Sequence, residues 1–93
     1  METAEIETPQ GTARVHVHPP EGEPRAVMVL GHGAGGGVGA PDLVAVTALA
    51  TARGLLVALV EQPYRVAGRR SPPPPARLDP AWTAAVAHVA ARA

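Results

Sequence analysis

The segment Val27-Met28-Val29-Leu30-Gly31-His32-Gly33-Ala34-Gly35-Gly36-Gly37 changes character at Gly31. An unbroken apolar run stops there and gives way to glycines. Residues 26–30 carry no polar side chain, which predicts a strand covered on both faces, as in a parallel sheet. The glycines that follow predict a loop of bare backbone amides, open to positive φ and suited to holding negative charge.

Reading downstream, Pro41 and Asp42 suit a helix start, a proline at the first helical position and an acid in the first turn. Leu43, Val46, Leu49 and Ala50 fall at helical spacing, and Arg53-Gly54 marks an end. Residues 55–60 form a second continuous apolar run. Residues 26–60 therefore spell strand, crossover helix, strand, a unit that is right-handed wherever its strands are parallel. Upstream, residues 5–8 read as a short strand and residues 9–12 as a turn. Residues 13–18 alternate apolar and polar, the mark of a half-buried strand, and the prolines of 19–24 end it. Residues 62–78 read as irregular, stiffened by the four prolines of 72–75. Asp79 and Pro80 then read as N-cap and first residue of another helix, with Trp82, Val86 and Val89 on one stripe. The expected class is α/β, a sheet of about four strands with an antiparallel start and a parallel βαβ unit, and two helices, in one domain over residues 1–93.

Composition removes several function classes. The 93 residues hold eight basic and eight acidic side chains, so no net charge argues for nucleic acid or an anionic membrane. There is no cysteine, which excludes disulfides and thiolate metal sites and fits a reducing compartment such as the cytoplasm. The acidic start Met-Glu-Thr-Ala-Glu lacks the apolar core of a secretory signal, and no apolar run is long enough to span a bilayer. No cofactor is implied. All basic residues are arginine, and alanine, glycine and proline abound, which points to GC-rich codons. With Trp82 and Tyr64 the only aromatics, the core must rest on Val, Leu and Ala.

Four pieces together carry a resemblance: Leu30-Gly-His-Gly-Ala-Gly-Gly36, Ala52-Arg-Gly-Leu-Leu-Val57, Gln62-Pro-Tyr-Arg65 and Gly68-Arg-Arg-Ser-Pro72. In this order they resemble the N-terminal portion of the α/β-hydrolase fold, above all its dienelactone-hydrolase-like members and the group of NSL-complex-subunit and testis-expressed homologues. The resemblance implies that the loop after the third strand supplies oxyanion-hole amides, at Gly33 and Ala34, with the Ala34 N–H the best single choice. It also implies strand order 1-2-4-3 and a small-molecule ester or acyl substrate for a complete protein. The serine elbow Gly-x-Ser-x-Gly, the acid and the base histidine would follow beyond Ala93, and no residue here matches them. The 93-residue chain is therefore expected to be an inactive N-terminal part, with residues 26–30 left as a sheet edge prone to self-association.

Three further expectations stand beside that one. A non-catalytic, hydrolase-like interaction module fits the same motifs. Gly31-His-Gly-Ala-Gly-Gly36 also satisfies Gly-x-Gly-x-x-Gly, with Glu61 ending the next strand, as in a dinucleotide-binding unit. That reading needs a helix starting within glycines, which their propensity opposes. His32, Tyr64 and Arg65 are candidate pocket or loop residues, with His32 expected to brace loop backbone. His16 and His18 share a strand face, but two ligands make no metal site.

Overall fold

The computed structural model describes residues 2–32, 37–69 and 71–92. It is a mixed α/β structure with strands β1 (Glu2–Thr8), β2 (Gly11–His18), β3 (Ala26–Gly31) and β4 (Leu55–Glu61). The helices are α1 (Pro41–Ala52), α2 (Pro63–Val66) and α3 (Pro75–Arg92). The strands form one sheet in the order β1-β2-β4-β3. β1 pairs antiparallel with β2, β2 antiparallel with β4, and β4 parallel with β3. Register places Ala4 opposite Val15, Val15 opposite Val60, and Met28 opposite Val57. β1 runs to Glu2, further than its composition suggests, because β2 offers it a partner along its whole length.

Alternation on β2 sorts the sheet into two faces. Ala13, Val15 and Val17 are buried, and Val15 and Val17 join Ala58, Val60, Ala85 and Val89 in a core beneath α3. On the other face Val57 and Leu59 meet Ala50 of α1, with Met28, Leu30 and Leu43 packed around them. Two helices on opposite faces of a sheet explain why β4 reads as an unbroken apolar run: Val57 to Val60 are all buried.

Helix faces differ from those expected. On α1 the sheet-facing residues are Leu43, Thr47 and Ala50, while Val46 and Leu49 are exposed, Leu49 by 62%. This helix is apolar nearly all round, so its spacing singles out no face. Thr47 is buried with its hydroxyl oxygen lacking a hydrogen-bond partner among the described residues. On α3 the buried line is Ala81, Ala85 and Val89, with Trp82 beside it and Val86 half-buried. Small alanines there let the helix approach the sheet closely.

Two further differences concern the segment 62–80. A one-turn helix, α2, follows β4, making three helices among the described residues where the sequence predicts two. It closes by a Schellman motif: the Arg69 N–H donates to Tyr64 O (2.9 Å) and the Gly68 N–H to Arg65 O (2.9 Å). Gly68 takes φ +84°, a conformation that strains any side-chain-bearing residue. In addition α3 starts at Pro75, not at Pro80. The last residue of the proline run takes the first helical position, for which its fixed φ is suited. Pro80 then lies inside the helix, where it removes a backbone donor and crowds the preceding turn. Pro80→Ala is expected to raise the unfolding free energy by about 1–3 kcal/mol in urea melts. A loss of stability would mean that the helix begins at Asp79.

Among the described residues, no helix is long and apolar enough to cross a membrane.

Candidate functional site

β3 and β4 are parallel, so their carboxyl ends lie side by side, Gly31 against Val60. In open α/β sheets this end of the strands is where ligands bind. His32 follows β3 immediately, and Gln62, Tyr64 and Arg65 follow β4. The Gln62 backbone N–H donates to His32 Nε2 at 3.1 Å. A backbone amide only donates, so Nε2 carries the lone pair and the proton of the neutral ring sits on Nδ1. The His32 ring also meets Tyr64 edge to face, with centroids 5.7 Å apart and planes at 66°. Tyr64 is buried in α2. His32 thus braces the loop after β4, as its sequence position suggests, and its Nε2 is committed to that bond.

Arg65 reaches across to the other loop. Its Nη2 lies 3.4 Å from where a Cβ on Gly37 would stand, and its Nη1 donates to Arg69 O at 3.5 Å. Gly37 gives this guanidinium room beside the end of the glycine segment. Residues 37–40 turn back on themselves, the Ala40 N–H donating to Gly37 O at 3.1 Å, and α1 begins at Pro41. The structure therefore brings three sequence candidates, His32, Tyr64 and Arg65, to one end of the sheet. The expected oxyanion amides of Gly33 and Ala34 lie outside the described residues.

Two observations bear on the dinucleotide reading. α1 starts beyond the glycines, so its N-terminus is not formed by them. Glu61, which would have to meet a ribose, is occupied on the α1 face of the sheet: its Oε1 lies 3.0 Å from His16 Nε2 and 3.7 Å from Arg14 Nη1. His16 and His18 do share a face, and burial holds His18 below the usual histidine value, with the charge of His16 adding to the effect. Among the described residues, no group of three His, Asp or Glu side chains is placed to hold a metal ion.

Sequence reading passed over Gln62. Besides its backbone bond to His32, its Nε2 donates to Leu78 O at 3.4 Å, tying the start of α2 to α3. Its Oε1 is buried without a hydrogen-bond partner among the described residues. Gly31 was also passed over as a packing site. A Cβ there would stand 3.2 Å from Trp82 Cζ3, so the indole lies directly on the strand end that carries the loop.

Fold and site together define an α/β crossover unit whose two loops meet at the carboxyl edge of a parallel strand pair. No protein-family model, curated protein or solved structure matches this chain.

Proposed function

We propose that this chain is the N-terminal part of a serine-hydrolase-type α/β unit acting on ester or acyl substrates, in which the loop after β3 supplies oxyanion amides. The observation that carries the proposal is the strand order β1-β2-β4-β3 with the glycine loop leaving β3 at the carboxyl edge. The loop after β4 is fastened to His32, the residue that follows β3, by the Gln62–His32 bond. A tetrahedral intermediate develops negative charge on one oxygen, and fixed backbone amides stabilise it by roughly 3–4 kcal/mol per donor. Gly33 and Ala34 are the donors proposed here, with His32 and Tyr64 holding the neighbouring loop in place and Arg65 at its rim. The zero-cysteine composition fits a cytoplasmic setting for this chemistry.

Methylphosphonate, a tetrahedral oxyanion mimic, tests the loop directly. Its titration is expected to shift the Gly33 and Ala34 amide resonances selectively; shifts absent there would remove the proposed role. Activity supplies the second check. The one serine, Ser71, stands in the loop between α2 and α3, ahead of the prolines, not at a strand-to-helix elbow. The 93-residue chain is therefore expected to hydrolyse p-nitrophenyl acetate no faster than the buffer control. Turnover accompanied by fluorophosphonate labelling of Ser71 would show that the nucleophile has been misplaced.

A second reading, the non-catalytic interaction module, is favoured by one feature. β3 lies at the edge of the sheet and bears no charged residue, with Val27 37% exposed. A second copy of this chain, pairing β3 to β3, is the partner proposed for it.

A further inference from the structure

Between Gln62 and Leu78 the sequence holds four of its eight arginines, Arg65, Arg69, Arg70 and Arg77, and no acidic residue. In a chain of zero formal net charge this is a local excess of positive charge. The fold gives two of these arginines, Arg69 and Arg77, a concave setting. A groove of about 650 Å³ runs between the β1–β2 turn, α2, the proline segment and the start of α3. That is the size range of small-molecule sites. Arg69 and Arg77 line it, and none of its described lining residues is acidic. Among the described residues neither arginine forms an ion pair. The Schellman turn at Gly68 brings Arg69 round to the groove, and Arg77 comes from the first turn of α3. Pro63, Val66 and Leu78 supply apolar wall. The groove takes in Tyr64 and Gln62 but neither His32 nor Arg65, and it reaches the β1–β2 turn through Gln10, Gly11 and Thr12.

We propose that this groove binds a small organic anion, its carboxylate or phosphate meeting Arg69 and Arg77 and its apolar body lying on Pro63, Val66 and Leu78. Arginine suits the task because its planar fork pairs with both oxyanions and stays charged at every relevant pH. Two cations in one lining that holds no described acidic residue make the groove electropositive, which favours an anion there.

The test uses the full chain and three probes, benzoate, phenyl phosphate and the neutral isostere benzamide, followed by NMR of the arginine Nε–H and Tyr64 resonances. Benzoate and phenyl phosphate are expected to bind saturably, to shift Arg69 and Arg77, and to weaken as salt rises. Benzamide is expected to bind at least about tenfold more weakly, and the double variant R69Q/R77Q to lose about tenfold for both anions. Both arginines are exposed, so an unchanged amide spectrum of that variant would confirm an intact fold. Equal binding of benzamide, or anion binding that survives R69Q/R77Q, would overturn the proposal. Anion shifts confined to Gly33 and Ala34 would also overturn it while leaving the oxyanion loop standing, and methylphosphonate failing at those amides leaves the groove unaffected.

Discussion

Trp82→Ala is expected to destabilise the protein by about 3 kcal/mol, the lower end for removing a tryptophan, since Trp82 is half-buried. Small domains have total stabilities of roughly 5–15 kcal/mol, so this raises the unfolded fraction by about two orders of magnitude. The indole packs against the cluster of Val15, Val17, Ala58 and Val60. It also covers Gly31, the last residue of β3. No other side chain in this sequence has the area to do both, since phenylalanine is absent and Tyr64 is engaged elsewhere. A double-mutant cycle isolates the contact at the strand end. Gly31→Ala alone places a methyl 3.2 Å from the ring and should destabilise; in the Trp82→Ala background the same methyl enters the vacated space. Urea melts giving less than about 1 kcal/mol for Trp82→Ala, or strict additivity in the cycle, would show that the ring does not hold the strand end.

The second large effect concerns association. β3 is paired on one side only, by β4. At the opposite edge β1 carries Glu2, Glu5 and Glu7, the charge with which sheets discourage further pairing. β3 has neither charge nor proline, and the outer side of α1 adds the exposed Val44, Val46 and Leu49. A second strand can take up that whole row of backbone donors and acceptors at once, and zero net charge opposes no approach of a second copy. Size-exclusion chromatography is therefore expected to show dimers or larger species at micromolar concentration. Val27→Lys, which sets two like charges on the pairing strands, should weaken association at least about tenfold. A monodisperse parent monomer with strongly protected amides across residues 27–30 would refute the pairing.

Residue patterns carried the architecture further than the details. The run 26–30, the helix starting at Pro41, the stop at Arg53-Gly54 and the run 55–60 all stand in the structure where their spacing put them, because each has its own local cause. Gly54, at φ +86°, shows that cause plainly. Helix faces were less legible. On α1, Val44, Val46 and Leu49 are as apolar as Leu43, and only the sheet decides which turn inward. The start of α3 was misplaced for a related reason: both Pro75 and Pro80 suit a first helical position, and local rules do not rank them. At the site, His32, Tyr64 and Arg65 announced themselves through position beside strand ends. Gln62 did not, since its part depends on contacts with His32 and Leu78 that are far away in sequence.

The place of β4 in the sheet has a consequence for how the chain reaches its native state. β4 lies between β2 and β3, both of which precede it in sequence. The β1–β2 hairpin has only local contacts and can close early, but β3 has no neighbour until residues 55–61 exist and slip into the gap. Such insertion joins segments distant along the chain, and loop-closure entropy makes it slow. Until then the unpaired edges of β2 and β3 both stand open, and contacts between different chains compete with the one that completes the sheet. Yield on refolding should accordingly depend on protein concentration more steeply than the stability of the finished fold alone would suggest.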